Sequence, residues 1–187
     1  MSDLSPDAVL PLLRGRFGKP YRFAASCPST QRMFIEDDPE GAVAVSDEQT
    51  EGRGRLGRRW EAPPGRAILC SVLLRPAKPV AVWPELSVVA AEAVVAALPL
   101  AATVLHPNDV VVDGRKLAGI LPEAGDGRVV LGIGVNVNQT ATELPQDARK
   151  PPTSIRIELG HEVTRSPLLA AILLELEARY DAWLGVS

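Results

Sequence analysis

Two aspartate–glycine turns close together in the chain, Asp113-Gly114 and Asp126-Gly127, each set between apolar runs, constrain the fold more than any other feature. An Asp-Gly pair accepts the positive φ values of a two-residue type I′ turn, whose twist matches that of the strands it joins. Residues 110–112 and 116–121 therefore read as a hairpin around Asp113-Gly114, and Gly125-Asp126-Gly127 turns a second hairpin into residues 129–137. Successive hairpins build an antiparallel sheet, whose apolar face then needs a covering layer.

The rest of the chain supplies that layer. Ser5 and Pro6 read as the N-cap and first position of a short amphipathic helix over residues 7–17, stopped at Gly18. Residues 21–25 and 42–45 read as strands, with a helix beginning at residues 28–35 between them. An apolar run over 68–74 reads as a buried strand, and 84–98 carries helical spacing at Leu86, Val89, Ala90, Ala93, Val94 and Ala97. Residues 139–153 show no pattern and read as a surface connection, after which Ser166-Pro167 opens a last amphipathic helix to about Leu184. The sum is an α+β fold in a single domain over residues 1–187, a mostly antiparallel mixed β-sheet with helices on one face.

Bulk properties exclude several classes. A length of 187 residues suits one domain with a real core. A formal net charge of −3 argues against wholesale nucleic-acid binding, because a protein that tracks a polyanion carries a basic balance. Cys27 and Cys70 stand far apart without C-x-x-C spacing, so neither a disulfide framework nor a zinc site is suggested, and reduced thiols fit a cytosol. The opening S-D-L-S-P-D lacks the basic and apolar regions of a secretory signal. The most apolar run, 86–100, holds Glu92 in its middle and reads as a packed helix, not a bilayer span. The expectation is a soluble cytoplasmic protein with no membrane partner.

The chemistry is concentrated in residues 47–60, D-E-Q-T-E-G-R-G-R-L-G-R-R-W, inside a stretch over 46–65 that has no apolar periodicity. Gly52, Gly54 and Gly57 let backbone N–H groups approach an anion, and Arg53, Arg55, Arg58 and Arg59 add planar charged forks suited to carboxylate or phosphate oxygens. Taken alone, this segment fits an anion-binding flap, an exposed arginine-rich hairpin or a short RNA-contacting strip equally well.

A second segment separates these readings. From Leu105 the chain runs L-H-P-N-D-V-V-V-D-G-R-K-L-A-G-I-L-P-E, followed by G-D-G-R-V-V-L-G-I-G-V-N-V-N. With the arginine segment, these strings resemble in order the catalytic domain of biotin protein ligases, over roughly residues 20–184. The resemblance implies a class II synthetase-like fold and a two-step reaction with biotin and ATP as substrates. Magnesium accompanies the ATP, biotinyl-5′-AMP is the intermediate, and a lysine of a biotin carboxyl carrier protein, that of acetyl-CoA carboxylase or a similar one, is the acceptor. It also implies a homodimer. The short segment ahead of the first strand leaves no room for the winged helix with which some members bind DNA, and no C-terminal barrel is evident; no DNA partner is expected.

The same resemblance assigns residues. Ser29, Thr30 and Gln49 meet the biotin ureido ring, with Gln31 where an asparagine is usual. Arg53, beside Gly52, faces the carboxylate and reacting phosphate, while Arg55 folds the flap over the adenylate and Trp60 shields it. Lys116 bridges the biotin carboxylate and the α-phosphate, where an ammonium stabilises the charge developing on phosphorus. Gly119 and Ile120 line the pocket beside it, and Gly132, Gly134 and Asn136 lie on the strand along the biotin and adenine sites. Asn108 holds the loop, and Asp109 orients Lys116, holds magnesium or helps deprotonate the acceptor lysine. Leu105 and His106 stand where a lysine and a tryptophan are usual. Each residue also has a plainer reading: turn hydrogen bonding for Ser29, Thr30, Asn108 and Asp109, solvent exposure for the arginines and Lys116, core burial for Trp60, and a bulged strand for the glycines. At the level of function, the alternatives are a lipoate-protein ligase, a non-catalytic protein that binds biotin or the carrier, and an RNA-binding module.

Overall fold

Seven strands form one mixed sheet in this protein, whose structure is a computed structural model that describes residues 2–186. The chain opens with α1 (Pro6–Val9) and one 3-10 turn, Leu10–Leu12. The longer helix expected over 7–17 does not form, because Pro11 lacks the N–H that would continue it. Then come β1 (Tyr21–Ala24), β2 (Val43–Ser46), β3 (Ala67–Leu74), α2 (Leu86–Ala97), β4 (Thr103–Leu105), β5 (Asp109–Val112), β6 (Arg115–Gly125), β7 (Arg128–Asn136), α3 (Ile155–Leu159) and α4 (Arg165–Leu184). The spatial order is β1-β2-β3-β7-β6-β5-β4, and every pairing is antiparallel except β1 with β2.

Both Asp-Gly turns form as the sequence suggests. Asp113 and Gly114 have φ of 48° and 77°, Asp126 and Gly127 have 51° and 71°, and the flanking residues pair directly, Val112 with Arg115 and Gly125 with Arg128. All eight residues of β3 are buried, which explains its unbroken apolar run: both faces of this strand are covered. Ile68, Cys70, Val72 and Leu74 pack into the main core under α2 and α4, while Leu69, Ser71 and Leu73 face the other side. α4 presents Leu168, Leu169, Ile172, Leu173, Leu176 and Tyr180 to that core and stops at Gly185, whose φ of 81° is open to glycine. Residues 80–97 are apolar and long enough to cross a bilayer by composition, but the first part is a 3-10 turn and α2 packs against the sheet and α4.

Several local expectations are corrected. Residues 28–35 hold only one 3-10 turn, Thr30–Arg32, because their ordering comes from side-chain hydrogen bonds to neighbouring strands. β4 and α3 were not expected, being too short to show a period; α3 is entered through the Ser154 hydroxyl, which accepts from the Ile157 N–H at 3.2 Å. α4 begins at Arg165 behind Thr164, which places Ser166 and Pro167 inside its first turn. The 139–153 segment is no free surface connection: Gln139 and Thr153 are fully buried, and Pro151 and Thr153 exchange backbone hydrogen bonds with Lys116, both at 2.8 Å.

One irregularity in the sheet positions the site. Val110 lies opposite Ala118 but Val111 lies opposite Lys116, so Leu117 is an extra residue on β6. In a regular strand Lys116 and Gly119 would point to opposite faces. The bulge sends both Leu117 and Ala118 into the core and leaves Lys116 and Gly119 on the face away from the helices.

Candidate active site

The helix-free face carries a depression because three neighbouring floor positions have no side chain. Gly119 of β6 pairs with Gly134 of β7, Leu121 with Gly132, and Gly132 and Gly134 pair with Ser71 and Leu69 of β3. The cleft above this floor has a free volume of about 50 Å³, and it opens toward a groove of about 600 Å³ that runs under the flap along Leu121 and Glu123.

At the β3 end lies a polar cluster. Cys27 and Gln49 extend the parallel pairing of β1 and β2 by one bridge, which brings Gln49 beside the Thr30 turn. The Gln49 carboxamide oxygen accepts from the Thr30 N–H at 2.8 Å and from its hydroxyl at 3.1 Å, and the hydroxyl groups of Thr30 and Ser71 are 2.7 Å apart. Ser29, Thr30 and Ser71 are almost fully buried. The cluster matches a ligand that brings an apolar body with a compact polar head. Ser71 was missed in the sequence because it sits within an apolar strand. Gln31 reaches across the floor, its amide donating to the Leu121 carbonyl at 3.0 Å and closing over Gly132.

At the other end are the cations. Lys116 Nζ lies 2.8 Å from Asp109 Oδ1, and Lys150 Nζ, from the segment that borders β6, lies 2.6 Å from Asp109 Oδ2. Burial pushes the Asp109 carboxyl up, but the two ammonium groups outweigh it and hold it below the ordinary carboxylate range. The stabilisation from this depressed carboxyl is present above the unfolded value, about 3.9, and is lost only as the pH falls through the lower folded value. Asp109 therefore stays ionised at neutral pH, paired with both ammonium groups. No group of three or more His, Cys, Asp or Glu suited to a metal is gathered among the described residues.

The flap over residues 47–65 is folded, not loose. Gly65 N–H donates to the Asp47 carbonyl at 3.0 Å across its neck, Arg53 and Arg59 form a bridge, and Trp60 N–H donates to the Gly52 carbonyl at 3.0 Å. At its tip Leu56 takes a φ of 59°, a left-handed conformation that costs a side-chain-bearing residue about 1–2 kcal/mol. Two arginines tie the flap to the sheet: Arg53 to Glu123 at 2.9 Å and Arg55 to the Asn108 side-chain oxygen at 2.9 Å. Asn108 in turn donates to the Ile120 carbonyl at 2.9 Å. Arg58 and Arg59 stay within the flap: Arg58 donates to the Arg55 carbonyl, and Arg59 donates to the Thr50 carbonyl and pairs with Glu61 at 3.7 Å.

Trp60 lies across the glycine floor. A Cβ on Gly134 would stand 2.6 Å from the indole, one on Gly119 2.9 Å, and one on Gly52 2.3 Å from the Trp60 carbonyl. The expectation that Gly119 gives room for a ligand meets a more particular fact: in this state the indole takes up that room. Lys116 Nζ is 5.5 Å from its ring centre, and the indole N–H is buried with no acceptor. Gly134→Ala should drive the ring off the sheet and cost about 1–3 kcal/mol. The check is a red shift of Trp60 emission with Trp83 and Trp183 replaced by phenylalanine; unchanged emission would mean the ring does not rest there.

Of the residues singled out in the sequence, Ser29, Thr30, Gln49, Arg53, Arg55, Trp60, Asn108, Lys116, Gly119, Ile120, Gly132 and Gly134 all line this one cleft. Gly52 lies on the adjoining groove, and Asp109 stands behind Lys116. Asn136 is outside the cleft lining: its amide donates to the Thr153 carbonyl and its oxygen accepts from Gln139, each at 2.9 Å, so it fastens the 139–153 segment to the sheet.

Comparison with known proteins places the arrangement. Residues 23–139 match the Biotin/lipoate A/B protein ligase family. The chain is 42% identical over 155 residues to the biotin--[acetyl-CoA-carboxylase] ligase of Mycobacterium tuberculosis, covering 78% of this chain and 56% of that protein. It is 39% identical over 165 residues to the bifunctional ligase/repressor BirA of Bacillus spizizenii, covering 81% of this chain and 51% of that one. The chain thus spans about half the length of the curated relatives it matches. Among solved structures it superposes on the biotin protein ligase from Aquifex aeolicus in complex with biotin and ATP with a TM-score of 0.75 at 28% identity, covering 88% of this chain and 72% of that chain.

Proposed function

This chain belongs to the biotin/lipoate A/B protein ligase family, and from that premise we propose that it activates biotin with ATP and transfers it to a lysine of a carrier protein. In the first step a biotin carboxylate oxygen attacks the α-phosphorus of magnesium-ATP, and pyrophosphate leaves with the electron pair of the broken P–O bond. In the second, the lysine ε-amine attacks the carbonyl of the mixed anhydride, an amide forms, AMP leaves, and the amine gives up its proton. No enzyme nucleophile is needed.

The observation that carries this reading is convergence. One cleft joins the Thr30–Gln49–Ser71 polar cluster, a side-chain-free floor, the Lys116 ammonium and two flap arginines. The polar cluster suits the ureido head, the floor suits the flat bicyclic body, and Lys116 with Arg53 suits the carboxylate and α-phosphate. With about 50 Å³ free, the vitamin enters only if Trp60 and the flap shift, and an acceptor then becomes available for the buried indole N–H. Arg53 exchanges Glu123 for the ligand in the same movement. Because Asp109 is already taken up by two ammonium groups, magnesium belongs to the ATP substrate. The carrier is the biotin carboxyl carrier protein of acetyl-CoA carboxylase or a similar one, and the proposal includes a homodimer acting in the cytoplasm.

The test is to mix the protein with magnesium-ATP and biotin, or lipoate, and follow pyrophosphate release together with the mass of the adenylate. Biotin-dependent release with biotinyl-AMP is expected; release with lipoate alone, or biotin binding without release, would overturn the assignment. Arg55→Gly removes the bond to Asn108 that holds the flap down. Loss of one charge-assisted contact should speed escape of biotinyl-AMP by about 10- to 100-fold, read as biotin appearing on bystander proteins. Strict labelling of the carrier by the variant would show that the flap is held by other contacts.

A further inference from the structure

We propose that Lys150 is a second phosphate-facing cation of this site, which offsets Asp109 so that Lys116 acts with its full positive charge. The inference rests on the ligase reading and adds a residue that no sequence motif marks.

Asp109 is 6% exposed and pairs with Lys116 at 2.8 Å. If these two were alone, the carboxylate that orients the ammonium would also cancel it as seen from a triphosphate, since in a partly desolvated cleft the two opposite fields nearly superimpose. Lys150 occupies the second carboxylate oxygen at 2.6 Å. The triad of Lys116, Asp109 and Lys150 therefore carries a net charge of +1.

The position of Lys150 is built, not accidental. It is followed by Pro151 and Pro152, whose rings restrict the backbone, and the segment is paired to Lys116 on both sides, Lys116 N–H to Pro151 O and Thr153 N–H to Lys116 O. Asn136 holds Thr153 from beneath at 2.9 Å, and the Ser154 hydroxyl donates to the Gln139 carbonyl at 2.7 Å. The Lys150 side chain is 37% exposed, so its ammonium, which has three donors, has room for a phosphate oxygen besides Asp109.

The experiment compares full-length wild-type protein, Lys150→Met and Lys150→Arg by calorimetric titration with magnesium α,β-methylene-ATP in saturating biotin, conditions in which the α–β bond cannot break. Lys150→Met should weaken nucleotide binding by about 2- to 5-fold, the range of a partly exposed charge contact, while biotin affinity and Tm stay as in wild type; Lys150→Arg should restore it. With ATP itself, KM for ATP should rise and KM for biotin should not. Unchanged nucleotide affinity in Lys150→Met, equal weakening of biotin and nucleotide, failure of arginine to rescue, or a wild-type protein that binds no nucleotide would each overturn the proposal. Pyrophosphate release by the wild type reports separately on the ligase reading: nucleotide binding that depends on Lys150 without any release would sink that reading and leave Lys150 as a nucleotide ligand.

Discussion

Lys116→Ala lowers biotin-dependent pyrophosphate release by at least about 10²–10³-fold, the cost of removing one preorganised charge from a transition state, and leaves the protein folded. The first half of the prediction follows from position. The bulge at Leu117 puts this ammonium on the cleft face beside the glycine floor, and Asp109 and the Trp60 ring hold it there. In the proposed reaction, charge that develops on the α-phosphorus meets a cation that Asp109 still holds once Trp60 has moved. The second half follows from Asp109 keeping its other partner: with Lys150 still 2.6 Å away, no buried carboxylate is stranded. Single-turnover formation of biotinyl-AMP and thermal unfolding measure the two halves. Transfer from preformed biotinyl-AMP should suffer far less, because the phosphoryl step is already complete. A variant that turns over normally would remove Lys116 from the reaction, and one that unfolds would make it structural.

Arg165→Ala destabilises the protein by about 3 kcal/mol, the loss expected when one partner of a buried charge cluster is deleted, or about 6–12 °C in Tm for a chain of this size. The Arg165 side chain is 4% exposed and gathers three separate parts of the fold. Its guanidinium donates to Asp3 at 2.5 Å, to Asp47 at 2.8 Å and to the Ala67 carbonyl at 2.8 Å. Asp47 is the root of the flap, where its carbonyl accepts from Gly65 N–H. Removing the guanidinium leaves the Asp47 carboxylate with only the Ser2 hydroxyl, leaves Asp3 with only the residue-165 backbone N–H, and frees the Ala67 carbonyl; it also loosens the hinge from which the flap rises. Urea unfolding measures the first effect and the rate of adenylate escape the second. Arg165→Met combined with Asp3→Asn and Asp47→Asn should recover part of the stability, because the uncompensated charges go too; a loss below about 1 kcal/mol in the single variant would mean the cluster behaves as an ordinary surface ion pair.

The features legible in the sequence share a property: they are written in immediate neighbours. Asp113-Gly114 and Asp126-Gly127 make turns wherever they occur between apolar runs, and Gly52, Gly54 and Gly57 with Arg53 and Arg55 make an anion-seeking strip on composition alone. Apolar spacing found α2 and the last helix, although Pro11 and the lone turn at Thr30–Arg32 show that the same reading overextends helices where a proline or side-chain hydrogen bonds intervene. The contacts of Asn136 with Thr153 and Gln139 were not legible, because its string says which strand it is on but not what lies across from it.

By itself, then, the sequence determined the two hairpins, the flap and the presence of Lys116 beside them, since turn dihedrals and local charge depend on adjacent residues. Only the tertiary structure decided that Leu117 bulges so that Lys116 and Gly119 share a face, that Trp60 lies on Gly119 and Gly134, that Ser71 joins Thr30, and that Lys150 meets Asp109 from a segment 41 residues away. Those contacts depend on strand register and on how distant pieces of chain close over one another, and both are settled by burying the whole core at once.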